Sequence, residues 1–169
     1  GIVKAPQGWI AVTSRPGEGS SFAIFLPARK QAILTPIPLA PATAPRGHET
    51  ILVVDDEEML RQLARTILER QGYRIMTACH GQEALEIYRR QAPAIDLVLL
   101  DYTMPKLTGV DVLKELKSIN PAVRVIFSSG YAPHNDNNRL LAAGAKAFLP
   151  KPYQPAELVR TLRATLDCS

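Results

Sequence analysis

The stretch Ile51-Leu52-Val53-Val54-Asp55-Asp56-Glu57-Glu58 decides the fold. Four consecutive branched apolar residues fit a strand buried on both faces, as in parallel sheets covered by helices. An acidic run ends the strand abruptly. Beyond it Leu60, Leu63, Ala64, Ile67 and Leu68 recur at i, i+3, i+4, i+7 and i+8, one face of a helix, and Gly72 stops it.

The same alternation continues outward. Residues 74–78 read as a strand and 82–91 as a helix with Ala84, Leu85 and Tyr88 inward. Residues 97–100 form a second strongly apolar strand, bounded by Asp96 and Asp101. A helix over 110–119 buries Val112, Leu113 and Leu116 and is closed by Asn120-Pro121. A strand at 123–127, a short helix at 136–143 ending on Gly144, and a strand at 146–149 follow. Pro155 suits the first turn of a last helix whose stripe is Leu158, Val159, Leu162 and Leu166. Five β–α units with right-handed crossovers give an α/β doubly wound parallel sheet with helices on both faces.

Upstream, Ile10 and Val12, then Phe22, Ile24 and Leu26, alternate on either side of Arg15-Pro16-Gly17-Glu18-Gly19, which predicts a β-hairpin. Residues 1–27 thus read as a helix tail and a hairpin, a remnant of a larger sheet, because a lone hairpin is marginally stable in water. Residues 28–49 are Pro- and Ala-rich without periodicity, a semi-extended linker. Residues 50–169 are the α/β domain.

Composition narrows the function classes. Among 169 residues 46% are hydrophobic and 21% charged, a globular balance. The net charge is +4, but residues 1–50 hold five basic and two acidic groups and so carry +3 of it. The α/β domain is nearly neutral, with no basic face for nucleic acid. The apolar stretch 32–45 is broken by Pro36, Pro38, Pro41 and Pro45, and none nears the roughly 20 residues of a membrane helix. Cys79 and Cys168 make neither zinc-ligand spacing nor a disulfide framework, which points to a reducing, cytoplasmic setting. The start at Gly1, with neither initiator Met nor signal peptide, suggests a piece of a longer protein.

Ligands of such sheets bind outside the carboxyl ends of the strands. There the sequence places Asp55-Asp56, Asp101, Ser128-Ser129 and, after the last strand, Lys151. Three carboxylates in one crevice repel one another and stay ionised cheaply only around a cation. All-oxygen ligands suit Mg²⁺, and a lone ammonium suits a phosphoryl group. A carboxylate, a divalent cation, a lysine and a hydroxyl are the parts needed to form an aspartyl phosphate.

These residues carry a resemblance. Val53-Val54-Asp55-Asp56-Glu57, Leu100-Asp101-Tyr102-Thr103-Met104-Pro105, Phe127-Ser128-Ser129-Gly130-Tyr131 and Ala147-Phe148-Leu149-Pro150-Lys151-Pro152 resemble, in order and spacing, the motifs of a two-component receiver domain. The resemblance implies the flavodoxin-like strand order 2-1-3-4-5. It implies Asp101 as phosphoacceptor, and Mg²⁺ held by Asp55, Asp56, Asp101 and the backbone carbonyl of Thr103. Lys151 and Ser129 would bind the transferred group, with Ser129 and Phe148 as switch residues and a cis Lys151-Pro152 bond. Strand alternation lets only one of Ser128 and Ser129 face the crevice, and the resemblance picks Ser129. No cofactor-binding residues beyond the metal ligands are implied.

The hairpin is similar to the end of a histidine-kinase ATPase domain, through Gly8-Trp9-Ile10-Ala11-Val12-Thr13-Ser14, Pro16-Gly17-Glu18-Gly19-Ser20-Ser21-Phe22 and Leu26-Pro27. Kinase tail, linker and receiver describe the C-terminal end of a hybrid sensor histidine kinase, whose nucleotide-binding boxes would lie upstream of Gly1. The implied function is phosphorelay signalling, with phosphohistidine of a kinase (its own or a partner chain) as donor and a histidine phosphotransfer protein as a further partner. The receiver would catalyse only its own phosphorylation and dephosphorylation.

Three rival readings fit these residues less well. An aspartyl-phosphate phosphohydrolase typically has a second Asp two residues after the nucleophile, where this chain has Thr103. An FMN binder needs a phosphate loop where Asp55-Asp56-Glu57-Glu58 would repel phosphate. A receiver that only docks would not need the acceptor set that is present. His48, His80 and His134 read as solvated, and Asn135-Asp136-Asn137-Asn138 as a loop and cap.

Overall fold

A computed structural model describes residues 9–17, 19–25, 47–130 and 141–168. The chain divides into two units, Gly1–Ala42 and Thr43–Ser169.

In the first unit, β1 (Trp9–Arg15) and β2 (Gly19–Phe25) pair antiparallel, with Trp9 opposite Phe25 and Arg15 opposite Gly19. The turn needs glycine: Gly17 has φ of 80° and Gly19 of 94°, the left-handed region. Trp9 stacks on Phe25 with centroids 4.0 Å apart. Ile10, Val12, Phe22 and Ile24 are exposed, so this ribbon buries little of the apolar surface its sequence offers. The helix tail before it and most of residues 28–49 lie outside the described residues.

The second unit builds a parallel sheet from β3 (Thr50–Val54), β4 (Arg74–Ala78), β5 (Leu97–Asp101), β6 (Val125–Ser129) and β7 (Ala147–Pro150). The order is β4-β3-β5-β6-β7, which numbered within this sheet is the expected 2-1-3-4-5. Among the described residues its α-helices with both ends defined are α1 (Glu58–Arg70), α2 (Gly81–Gln91), α3 (Gly109–Ile119) and α4 (Pro155–Asp167).

Strand alternation divides the core into two layers. Leu52, Val54, Val98, Leu100, Val125 and Phe127 pack on α2 and α3. Ile51, Val53, Leu97, Leu99, Ile126 and Leu149 pack on α1 and α4. Helices thus cover both faces, which is why the strands read as unbroken apolar runs.

Several bounds move by one residue, β7 among them at Ala147–Pro150 against the expected 146–149, and two expectations shift further. β6 begins at Val125, because Val123 is held in a turn by its N–H to the Asn120 carbonyl, 3.0 Å. Leu63, assigned inward by periodicity, is 46% exposed beside Met59 at 85%. A helix lying on a sheet buries a narrower stripe than the i, i+3, i+4 pattern permits, and Ala64 and Leu68 fill it. Of the short helix expected at 136–143, residues 136–140 lie outside the described residues, as do His134 and Asn135 to Asn138. Residues 141–142 are helical and Gly144, at φ 98°, ends the segment.

Residues 47–49 are tied to this unit. The Gly47 N–H donates to the Gln71 carbonyl (2.9 Å), and a Cβ at Gly47 would collide with the Tyr73 ring. The Arg74 N–H donates to the Glu49 carbonyl at 2.9 Å.

Candidate functional site

β3 and β5 are neighbours in the sheet, so their carboxyl ends deliver Asp55 and Asp101 side by side. Both are nearly sealed, at 3% and 4% exposure. Asp56 is exposed, yet one carboxylate oxygen from each of Asp55, Asp56 and Asp101 lies within 4.8 Å of the others. From the far side Lys151 reaches in. Its Nζ is 2.6 Å from Asp55 Oδ2 and 3.1 Å from Asp101 Oδ1.

The lysine is placed by the backbone. Its N–H donates to the Ser129 carbonyl at 2.8 Å, fixing it to the end of β6, and the Lys151-Pro152 bond is cis as expected. Both serines of β6 are buried. Ser128 is the register partner of Asp101 and Ser129 the partner of Pro150. Alternation carries Ser128 toward the α1/α4 side that Asp101 shares, while Ser129 ends the strand.

Electrostatics fit a cation. Burial pushes the Asp101 carboxyl up; the Lys151 ammonium opposes this, the Asp55 charge adds to it, and the Thr103 N–H donates to the carboxylate. Burial disfavours the charged lysine, but hydrogen bonding to Asp55 and the charge of Asp101 leave its pKa raised. Three carboxylates against one ammonium leave two negative charges uncompensated. An all-oxygen set with that surplus fits a hard divalent cation.

The remaining expected residues take clear places. Thr103 is exposed in the loop after β5, and Phe148 is half-buried on β7 against the α2/α3 layer. Gly109 lets α3 approach closely: a Cβ there would lie 2.5 Å from the Asp101 carbonyl and 2.7 Å from Phe127. His48 is solvated, whereas His80, expected so, caps α2, its Nδ1 accepting the Glu83 N–H at 3.1 Å. Cys79, His80 and Glu83 also converge within 4.8 Å. The Glu83 carboxylate accepts from the Cys79 N–H at 2.7 Å, so that cluster reads as a helix-capping network.

Two residues escaped the sequence reading. Arg61, half-buried on α1, donates from Nη1 to the Asp55 carbonyl (2.6 Å) and the Asp56 carbonyl (3.0 Å). Tyr153 is buried, and burial with the charges of Asp55 and Asp101 pushes its pKa up to about 12. The signal for Arg61 was only its place one helical turn after the acidic run.

Comparison with known proteins agrees with this geometry. The family model for the response regulator receiver domain matches residues 51–163. Sensor kinase CckA of Brucella abortus is 35% identical over 99% of this chain, which spans 18% of that protein's length. Chemotaxis protein CheY of Thermotoga maritima is 35% identical over 66% of this chain and 92% of its own. A receiver domain from Clostridium thermocellum superposes with a TM-score of 0.67 at 33% identity, over 70% of this chain and 94% of that one. So does a chain of the CheX-CheY-BeF3-Mg complex of Borrelia burgdorferi, with a TM-score of 0.67 at 32% identity, over 69% and 87%. Among the described residues no helix is long and apolar enough to cross a membrane.

Proposed function

The chain belongs to the response regulator receiver family, whose work is phosphorelay signalling, and from that premise we propose that Asp101 is its phosphoacceptor. The observation that carries the proposal is the pairing of Lys151 with both Asp55 and Asp101 beside the converging Asp56 carboxylate. An Asp101 oxygen attacks the phosphorus of a phosphohistidine in line. The P–N bond breaks and the imidazole nitrogen leaves with the electron pair and takes up a proton. Asp55, Asp56, Asp101 and the Thr103 carbonyl hold Mg²⁺, which when bound neutralises charge on carboxylate and phosphoryl oxygens. Lys151 and Ser129 bind the transferred group. Lys151 then exchanges Asp101 for a phosphoryl oxygen, and that exchange, with Ser129 and Phe148, biases the surface around β7 and α4 between two states.

The donor is a phosphohistidine protein, either a sensor kinase or a phosphotransfer protein. The likeness to a sensor kinase over 99% of the chain supports a place at the end of a hybrid kinase. In that reading residues 1–27 are the last strands of the kinase ATPase domain, 28–49 a linker, and 50–169 the receiver, on the cytoplasmic side. Exposure of the hairpin's apolar residues supports it, since they would be buried in a complete sheet.

The test is labelling by acetyl phosphate with Mg²⁺. Asp101→Asn should abolish it, and labelling of that variant at the wild-type rate would refute the assignment.

A further inference from the structure

We infer that Arg61 is a positioning residue that shapes the divalent-cation site through the backbone, an inference resting on the reading of Asp55, Asp56 and Asp101 above. Its Nη1 donates to two consecutive carbonyls, those of Asp55 at 2.6 Å and Asp56 at 3.0 Å. Those are the two residues of β3's end that carry ligand carboxylates. In an extended chain successive carbonyls point to opposite sides, so one nitrogen can satisfy both only where the chain turns. The guanidinium therefore holds the turn from α1, one helical turn downstream, and never touches the carboxylates.

The rest of the loop shows why such a clamp matters unequally for the two ligands. The Asp55 carboxylate has its own supports, Lys151 Nζ at 2.6 Å and the Glu57 N–H at 3.0 Å to Oδ1. Among the described residues no donor reaches the Asp56 carboxylate, which stands exposed at the rim. What the fold fixes of this ligand is its backbone, which sets where the carboxylate can reach, and the Asp56 carbonyl is held by Arg61. A ligand already aimed at the ion does not have to be ordered when the ion binds.

Coulomb's law gives the opposite sign, which makes the inference testable. A guanidinium near a cation site repels the cation, so if Arg61 acted through its charge alone, removing it would tighten Mg²⁺ binding. If it acts as a clamp, removing it loosens binding in spite of the lost repulsion.

The experiment is calorimetric titration of the full chain with Mg²⁺, at low and high salt, for wild type, Arg61→Ala, Arg61→Lys and Asp56→Asn. Thermal melts set a temperature at which each protein is folded. The clamp predicts that Arg61→Ala weakens the Mg²⁺ Kd about tenfold, the cost of ordering one freed ligand. Arg61→Lys, whose ammonium can still donate to a carbonyl, should recover part of that loss. An Arg61→Ala affinity equal to or tighter than wild type, with Asp56→Asn weakened, overturns the clamp and leaves the cation site standing. An Asp56→Asn affinity equal to wild type refutes the cation site itself, and the clamp falls with it. Should Arg61→Ala fail to fold, Arg61→Gln carries the test, and an unchanged Kd there overturns the clamp.

Discussion

At the scale of single residues the site turns on one ammonium shared by two carboxylates. Lys151 sits 2.6 Å from Asp55 and 3.1 Å from Asp101, so the proposed acceptor is held and partly neutralised before any phosphoryl group arrives. Charge-assisted bonds of this kind are stronger than neutral ones, and they must be exchanged rather than simply added when the acceptor reacts. The two serines separate a geometric argument from a family one. Register pairs Ser128 with Asp101, while the motif assigns the hydroxyl of Ser129. We expect Ser129→Ala to slow acetyl phosphate labelling about tenfold, the worth of one bond to a charged group, and Ser128→Ala to leave the rate near wild type. Rate measurements giving the reverse ranking would move the role to Ser128. Asp55, Asp56, Asp101 and Lys151 were legible because each stands where an apolar run stops. Arg61 and Tyr153 were not. One acts on main-chain carbonyls and the other is buried by elements far away in sequence, and neither leaves a pattern in its neighbours.

At the scale of elements, periodicity found the strands and most helices, and local hydrogen bonding decided their ends. The cap of α2 is His80, a residue expected in solvent, and α3 is capped by Thr108, whose hydroxyl accepts the Asp111 N–H at 3.3 Å and donates to the Asp111 carboxylate at 2.7 Å. The loop between Asp101 and α3 holds a feature no period could show. Lys106 has φ of 71°, and the Leu107 N–H donates to the Pro105 carbonyl at 2.9 Å, a tight γ-turn about a residue with a Cβ. That conformation costs a side-chain-bearing residue roughly 1–2 kcal/mol and glycine almost nothing. Lys106→Gly should therefore raise unfolding stability by about 1 kcal/mol in urea titrations, after the larger entropy of glycine in the unfolded chain is deducted. A loss of stability would mean that the turn is sustained by the lysine stem.

At the scale of the whole molecule, the receiver unit is fastened at the sheet's amino edge as well as at its active edge. Arg163 of α4 holds Glu49 at 2.8 Å and Asp167 at 2.8 Å, just before β3 begins. Burial works against the charged Glu49 carboxyl. The Arg163 hydrogen bond and charge and the backbone N–H donors outweigh it, and the pKa falls from 4.5 to about 2. A depressed carboxyl contributes stability that is fully present above its unfolded pKa and is lost as pH falls through the folded one. Glu49→Gln should melt lower than wild type at pH 7, by about 1 kcal/mol for a half-buried pair. That difference should shrink as pH drops from 4.5 toward 2. A gap that stays constant over this range would show that the ion pair is not its source. Composition marks a change of character between residues 28 and 49, and the structure divides the chain between Ala42 and Thr43. What composition could not convey is that Gly47 and Glu49, read as linker, are already bonded to Gln71 just after α1, to Arg74 of β4 and to Arg163 of α4.

The ring stack of the hairpin has an optical consequence. Trp9 is the chain's single tryptophan, and its neighbour is Phe25, so intrinsic emission reports on the ribbon. A change in that emission on adding Mg²⁺ would be news that the two units sense each other, not a record of ion binding as such. A lamp inside the receiver would have to be installed, and Tyr102, edge-on to Phe127 at 6.1 Å and next in sequence to Asp101, is the place for it.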